Sequence, residues 1–299
     1  MNSLRFGKYA LSFRRSPLVM GVLNVTPDSF SDGGKFITHR AAIEHAHTMA
    51  AQGADIVDVG GESTRPGSDA VTASEELARV LPVIEALARG GEGRPRLPIP
   101  LSIDTRKPEV AVAALAAGCA MVNDVTAAGD PRMVDVLRAH PDVPIVLMHM
   151  RGEPKTMQVE PRYDEVVGEI TSELAMRAAG LEATGIARER IVLDPGIGFG
   201  KRLIDNLEIL HEIDALKALG YPVLVGASRK SFLGTLLGGA SPKAPPAPAE
   251  ACLCGSLAVA AWCHAHHVEM VRVHDVRETV ELFKILDAIE DPTPHRPKG

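Results

Sequence analysis

Polar side chains that could do chemistry stand at the ends of a series of short apolar runs. Asn24 ends the run that begins at Leu18, and the same arrangement recurs along most of the chain. The full set is Asn24, Asp58, Ser63, Thr64, Arg65, Asp104, Asn123, Asp124, His149, Asp194, Ser228, Arg229, Lys230, Arg272 and His274. A lone Asp at such a point is commonly a helix cap. That interpretation does not predict a polar group after every run, so the set indicates a site.

These residues divide into two chemical groups. One suits the edge of a flat heterocycle with amide and amino groups, and consists of Asp104, Asn123, Asp194 and Lys230. The other suits phosphate oxygens, and consists of Asn24, Thr64, Arg65, Arg272 and His274. The amide oxygen of Asn24 is also a ligand that Mg²⁺ accepts. A heterocycle pocket beside an anion pocket predicts a substrate joined to a phosphate leaving group.

The apolar runs have the length of buried strands and alternate with helical patterns. Strands are predicted to begin at 18, 55, 100, 120, 143, 190, 222 and 268. Helices are predicted over 39–52, 72–89, 107–118, 131–140, 163–184, 204–219, 251–266 and 276–289. Thr72 and Glu75 have the spacing of a capping box, and Gly53 is placed to end a helix. The Pro/Ala tract 238–250 is predicted to be a surface insertion.

Eight strand-then-helix units predict an α/β protein with a single-domain (β/α)8 TIM barrel. Its active site is expected at the carboxyl ends of the strands, where the polar residues stand. We expect an N-terminal segment over 1–17, the barrel over 18–290 and a flexible tail over 291–299. An open doubly wound sheet is the alternative, but no G-x-G-x-x-G follows the first strand.

Composition narrows the class of protein further. Of the 299 residues, 45% are hydrophobic and only 4% aromatic, which is typical of helix-covered parallel sheets. The net charge of −6, with no basic block, argues against nucleic acid as a partner. The chain has neither an apolar run of membrane-spanning length nor the apolar core of a signal peptide within 1–17, so we expect a cytoplasmic protein without membrane contact. Buried thiols are expected for the four cysteines.

Six segments together resemble the dihydropteroate synthases of the folate pathway. They are NVTPDSFSDGG (24–34), DVGGESTRPGS (58–68), SIDT (102–105), LDPGIGFGK (193–201), SRKSFLG (228–234) and VRVHDV (271–276). The match spans residues 18–276 in the same order. It implies a transferase that condenses 6-hydroxymethyl-7,8-dihydropterin pyrophosphate with p-aminobenzoate, a target of sulfonamides, and a homodimer that forms through the late helices.

The resemblance also implies residue roles. The pterin contacts would be Asp58, Asp104, Asn123, Met148, Asp194, Lys230 and Arg272. The pyrophosphate contacts would be Asn24, Thr64, Arg65, Arg272 and His274, with Asn24 associated with Mg²⁺. The p-aminobenzoate pocket would comprise Phe30, Pro66, Phe199, Lys230 and Ser231, with Asp32 close to it. The catalytic set would be Asp32, Arg65, Asp104 and Lys230.

The family implies a dissociative reaction, in which pyrophosphate leaves before the aryl amine attacks. Carboxylates such as Asp104 would stabilise the cationic pterin methylene, and no covalent enzyme intermediate is required. One alternative is a barrel that passes a methyl group from a methylated folate to a corrinoid protein. Such a protein would have no use for the SRK segment or for the phosphate-binding residues Thr64, Arg65, Arg272 and His274, which argues against it. A second alternative, a catalytically silent partner, should have lost its buried charges, which are expensive to keep unused.

Several residues allow no firm choice between site and structure. For Asp124 and His149, the sequence favours a site role and a structural role equally. His45 and His47 are expected in exposed or capping roles, and the group at 264–267 is expected to end a helix, where imidazole suits the partial negative charge.

Overall fold

A computed structural model describes residues 3–26, 34–63, 69–91, 93–152, 156–157, 159–238 and 245–295. The strands are β1 Ser3–Phe6, β2 Tyr9–Ser12, β3 Leu18–Asn24, β4 Ile56–Gly60, β5 Leu101–Asp104, β6 Met121–Asp124, β7 Ile145–Met148, β8 Ile191–Asp194, β9 Leu224–Val225 and β10 Met270–Val273. The helices are α1 Gly34–Gln52, α2 Ala73–Arg89, α3 Pro108–Ala117, α4 Arg132–Ala139, α5 Val166–Ala183, α6 Leu203–His211, α7 Ile213–Lys217, α8 Ser231–Leu237, α9 Leu253–Ala265 and α10 Val276–Glu290.

The strands β3 to β10 form one parallel sheet in the order β8-β7-β6-β5-β4-β3-β10-β9. The ring closes where Leu193 of β8 pairs with Val223, just before β9, and the Leu193 amide donates to the Pro222 carbonyl at 2.9 Å. Helices lie between successive strands. The predicted eight-stranded barrel is therefore confirmed.

The helix boundaries follow from local sequence signals. The predicted capping box at α2 is present, because the Thr72 hydroxyl accepts from the Glu75 amide and the Glu75 carboxylate accepts from the Thr72 amide at 2.8 Å. Gly53 follows α1 with a φ of +101°, as a terminal glycine should. None of the helices in the described ranges is long and apolar enough to cross a membrane.

Two predicted elements differ in the structure. The helix predicted over 204–219 is two helices, α6 and α7, because Glu212 leaves the helical conformation with a φ of −104° and a ψ of 30°. The change of direction lets α7 bury Ile213 and Leu216. The strand predicted from residue 222 is only two residues long, Leu224–Val225.

The N-terminal segment forms a hairpin that closes the amino end of the barrel. Strands β1 and β2 pair in antiparallel fashion across a turn at Gly7, whose φ is +52°. Leu4 and Phe6 have no exposed surface. They pack against the inward side chains of the lower barrel, which are Leu18, Met20, Ile56, Met121, Val146, Val192, Leu224 and Met270. The hairpin is thus part of the core.

The contribution of the N-terminal hairpin to stability can be tested by truncating one of its buried side chains. Phe6→Ala removes a fully buried ring from a packed layer, and should lower the free energy of unfolding by about 3–5 kcal/mol. Denaturant unfolding measures the loss, with Arg5→Ala as the control, because Arg5 is exposed on the same strand. A loss below about 1 kcal/mol for Phe6→Ala would show that the hairpin is not part of the cooperative fold.

Candidate active site

The barrel interior becomes mostly polar towards the carboxyl ends of the strands. Successive inward positions are two residues apart, and on five strands an apolar side chain of the lower layer is followed by a residue predicted for the site. Asp58 follows Ile56, Asn123 follows Met121, Met148 follows Val146, Asp194 follows Val192 and Arg272 follows Met270. Asn24, Gly60, Asp104 and Asn123 are register partners on four neighbouring strands. The strand period therefore brings these predicted residues together at the carboxyl end.

Arg272 is the centre of this polar layer. Its Nε donates to Asp58 Oδ2 at 2.7 Å, and its Nη2 donates to Asp104 Oδ2 at 2.7 Å. Asn123 Nδ2 donates to the same Asp58 oxygen at 2.9 Å. The Asp58 side chain is fully buried and that of Asp104 is 10% exposed. One guanidinium thus lies between two carboxylates and weakens the repulsion between them.

Burial raises the pKa values of two strand-end carboxyls, Asp104 and Asp194. Burial is the main cause that raises the pKa of Asp104 to about 7, and the charge of Arg272 opposes it. Burial likewise raises the pKa of Asp194 to about 6, opposed by the Gly196 amide, which donates to Asp194 Oδ1 at 2.7 Å. Both carboxyls are therefore poised to change charge near neutral pH.

Lys230 faces an aromatic ring at the mouth of the barrel. Its Nζ lies 3.8 Å from the centroid of Phe199, a cation–π arrangement. Burial lowers the pKa of Lys230 to about 8. Phe199 also packs with Met148, Val125 and Met157 in a small apolar cluster. This part of the mouth offers a flat apolar surface beside a partly buried cation.

Three further predicted residues lie on the same end of the barrel. Ser231 is exposed at the first position of α8. His274 Nδ1 lies 3.2 Å from the Ser228 hydroxyl, and burial together with the charge of Arg272 lowers the pKa of His274 to about 3. Asn24 ends β3, and its Oδ1 lies 3.7 Å from the point where a Cβ on Gly60 would stand.

Other predicted site residues lie outside the described residues. They are Phe30, Asp32, Thr64, Arg65 and Pro66. Their roles stay predictions.

Asp124 is built into a turn. Its carboxylate accepts from the Thr126 amide at 2.8 Å, from the Thr126 hydroxyl at 2.7 Å and from the Ala128 amide at 3.2 Å. These bonds shape the loop after β6, so Asp124 is a structural residue.

His149 has a partner that the sequence analysis did not select. Its Nδ1 lies 3.1 Å from Nζ of Lys201, which is 3% exposed. Burial lowers the pKa of Lys201 to about 7. The available signal was the end of the LDPGIGFGK segment, where a lysine directly follows a glycine-rich stretch.

The remaining histidines and cysteines are mostly structural. His264 is buried near the end of α9, where its Nε2 lies 3.1 Å from Asp287 Oδ1. The prediction of buried thiols holds for Cys119, Cys252 and Cys263 but is wrong for Cys254, which is exposed. Cys252 is buried in the short turn just before α9, whereas Cys254 lies in the first turn of α9 and is exposed.

The side chains at the strand ends can be compared with the ligands that the predicted Mg²⁺ requires. Within the described ranges, no three His, Cys, Asp or Glu side chains are grouped to hold an ion. Mg²⁺ commonly takes one or two protein ligands and completes its shell with water and substrate phosphates. The amide oxygen of Asn24, at the carboxyl end of β3, fits that mode as a single protein ligand.

Comparisons with known proteins now define the class. A family model described as pterin binding enzyme matches residues 20–274. The dihydropteroate synthase of Escherichia coli K12 is 44% identical over 272 residues, which is 91% of either chain. Among solved structures, the Xanthomonas albilineans dihydropteroate synthase with 4-aminobenzoic acid has a TM-score of 0.85 at 43% identity, over 97% of this chain and 98% of that one. The Yersinia pestis dihydropteroate synthase in a sulfonamide complex has a TM-score of 0.85 at 39% identity, over 96% and 99%.

The fold and the site therefore define a pterin-binding barrel enzyme. Within that class, the chain belongs to the dihydropteroate synthase family. The resemblance inferred from six sequence segments is confirmed.

The double ion pair of Arg272 can be tested by stability. Asp58→Asn keeps the shape of the side chain but leaves the buried guanidinium with one carboxylate instead of two. Because Asp104 remains as a partner of the guanidinium, the free energy of unfolding should fall by about 1.5–3 kcal/mol, the cost typical of losing a hydrogen bond to a charged group. Arg132→Gln is the control, because Arg132 pairs with Asp130 and Glu109 on the surface and its loss should leave the unfolding midpoint unchanged. Equal midpoints for both variants would contradict the central role of Asp58.

Proposed function

We propose that this chain condenses 6-hydroxymethyl-7,8-dihydropterin pyrophosphate with p-aminobenzoate to give 7,8-dihydropteroate and pyrophosphate. The observation that carries the proposal is the buried polar layer of Asp58, Asp104, Asn123 and Arg272, in a chain 44% identical to a dihydropteroate synthase. The layer lies at the end of the barrel where enzymes of this fold carry their active sites.

The pterin would bind against the buried layer. A pterin edge carries amide and amino N–H groups, which carboxylates accept, and a carbonyl and ring nitrogens, which amides and ammonium groups serve. We assign these contacts to Asp104, Asn123, Asp194 and Lys230, with Asp58 and Arg272 beside them. Met148 is buried in the cluster with Phe199, which supports a contact with the flat ring.

Loss of pyrophosphate would come first. The carbon–oxygen bond breaks, its electron pair leaves with pyrophosphate, and a cationic pterin methylene remains. An ionised Asp104 would stabilise that cation, because the carboxylate is only 10% exposed and the attraction is weakly screened. The aryl amine then forms the carbon–nitrogen bond and releases one proton.

The leaving group would meet the phosphate-binding residues. We assign pyrophosphate contacts to Asn24, Arg272 and His274 from the described residues, and to Thr64 and Arg65 from the loop that lies outside them. A neutral His274 can donate a hydrogen bond from one ring nitrogen while the other faces Ser228. Mg²⁺ held at Asn24 would supply charge neutralisation for the pyrophosphate.

p-Aminobenzoate would bind at the mouth of the barrel. The Phe199 ring offers it a flat apolar surface, and the Lys230 ammonium beside that ring suits an electron-rich aromatic or an anion. We assign Ser231 to the same pocket, with Phe30, Asp32 and Pro66 from the loops outside the described residues.

We also propose that the enzyme is a cytoplasmic homodimer. All four cysteines are free thiols, which supports a reducing compartment. Large apolar side chains are exposed on the late helices at Leu236, Leu237, Trp262, Ile285 and Ile289, which supports association through that side. Sedimentation equilibrium at micromolar concentration should give twice the chain mass of 31.8 kDa.

Product analysis tests the function directly. The protein is incubated with the pterin pyrophosphate and Mg²⁺, with and without p-aminobenzoate, and both pyrophosphate and dihydropteroate are measured. Formation of dihydropteroate with one pyrophosphate per product would support the proposal. Pterin binding without any release of pyrophosphate would instead identify a silent partner. Methyl transfer from a methylated folate to a corrinoid would identify the methyltransferase class.

Asp104→Asn tests the stabilising carboxylate. The substitution keeps the shape but removes the negative charge, so kcat should fall by roughly a hundredfold or more while the fold is kept. Steady-state rates and circular dichroism measure the two effects. An unchanged kcat would remove Asp104 from cation stabilisation.

The same carboxyl should give the reaction an acid limb. Because burial raises the pKa of Asp104 to about 7, its anionic fraction falls as the pH drops below that value, and kcat/KM should fall by roughly tenfold or more between pH 7 and 5. His274→Gln should keep this limb, because the pKa of His274 is about 3 and its ring stays neutral throughout. Loss of the limb in that variant would assign it to His274 instead.

Sulfonamides test the second pocket. They mimic p-aminobenzoate, so they should compete with p-aminobenzoate and not with the pterin pyrophosphate. Initial rates at varied concentrations of each substrate decide this. Competition with the pterin alone would show that the p-aminobenzoate pocket is wrongly assigned.

A further inference from the structure

The buried side chain of Lys201 has no role in the steps above. Its Nζ lies 3.0 Å from the Phe199 carbonyl oxygen, 3.1 Å from His149 Nδ1 and 3.4 Å from the His149 carbonyl oxygen. A lysine that is 3% exposed is rare, because burying its charge costs several kcal/mol without compensation. The contacts around Nζ supply part of that compensation.

The loop 195–200 is folded tightly onto the end of β7. Gly196 has a φ of +68°, and a Cβ there would stand 1.9 Å from the His149 carbonyl oxygen. Gly200 has a φ of +61°, and a Cβ there would stand 2.3 Å from the Arg151 carbonyl oxygen. Only glycine allows so close an approach. The approach gathers carbonyl oxygens at one point, and the Lys201 ammonium lies among them.

This loop positions two parts of the active site at once. At its start, the Gly196 amide donates to Asp194 Oδ1 at 2.7 Å and so orients that carboxylate. Near its end, Phe199 carries the ring that lies under the Lys230 ammonium. A shift of the loop would therefore displace a contact in each substrate pocket.

We propose that Lys201 is a positioning residue that clamps loop 195–200 to the end of β7, and that His149 completes the clamp by accepting a hydrogen bond from it. Through this loop, Lys201 sets the orientation of Asp194 for the pterin and of the Phe199 ring for p-aminobenzoate. The inference rests on the proposed function, which assigns those two residues to the two substrates.

The surroundings of His149 agree with an accepting Nδ1. Burial and the charge of Lys201 lower the pKa of His149 to about 3, so the ring is neutral. With Nδ1 accepting from the ammonium, the proton of the neutral ring is on Nε2. That atom is buried and lies 3.4 Å from Glu173 Oε2 of α5. A carboxylate on that side favours the Nε2–H tautomer.

Lys201→Met removes the ammonium but keeps much of the side-chain volume. In this variant, kcat/KM for each substrate should fall by roughly tenfold or more, because both pockets lose their alignment. Hydrogen exchange of the backbone amides in 196–200 should become faster, while amides of the distant strands stay protected.

Arg190→Met is the matched control. Arg190 is also a partly buried cation that donates to backbone carbonyls, those of Leu137, Val143 and His140 at 2.8–2.9 Å, but it precedes the opposite end of the same strand, β8. It should lower the melting temperature with little effect on kcat/KM. His149→Leu is a milder second variant, which removes one contact of the ammonium and should shift the same two readouts by less.

The outcomes separate the two proposals. Normal kcat/KM and normal exchange of 196–200 in Lys201→Met would overturn the clamp, and so would an increase in exchange spread over the whole barrel. If the wild-type protein forms no dihydropteroate, the proposed function fails. The exchange measurement, made without substrates, then still decides whether Lys201 holds the loop.

Discussion

The site depends on one partly buried cation, Arg272, placed between two carboxylates. Without Arg272, the like charges of Asp58 and Asp104 would repel each other with no cation between them. The guanidinium weakens that repulsion and fixes the geometry of both carboxylates, because its planar fork donates to each in a defined direction. The arrangement tolerates little change, because removal of any partner leaves a charge in a place that water reaches poorly.

The barrel makes this arrangement possible by stacking layers along its strands. The lower layer is apolar and is sealed by Leu4 and Phe6 of the hairpin, which keeps water away from one side of the charges. The polar layer stands directly above, because inward side chains recur every second residue. Stability thus comes from the amino end of the barrel and chemistry from the carboxyl end, the division expected for this fold.

At the end of β8, the geometry of one loop fixes the positions of charged groups in the site. Asp194 lies in the polar layer, and its carboxylate accepts from the first amide of a loop that the glycines press against β7. The same loop carries the Phe199 ring to the Lys230 ammonium. A buried lysine below the loop, Lys201, is the kind of costly group that a protein keeps where its geometry matters.

The sequence by itself determined the alternation of strands and helices, the closure into a barrel and the residue types at the strand ends. It could do so because the apolar period, the capping residues and the glycine positions are local signals. It also determined the family, because six segments matched in order.

Only the tertiary structure decided which groups meet. Arg272 and Asp58 are 214 positions apart in the chain, and no local pattern states that one guanidinium serves two carboxylates. The burial of Lys201 and the packing of the hairpin of residues 3–12 against the barrel were likewise absent from the sequence signals. Both depend on contacts between distant segments, which form only when the ring of strands closes.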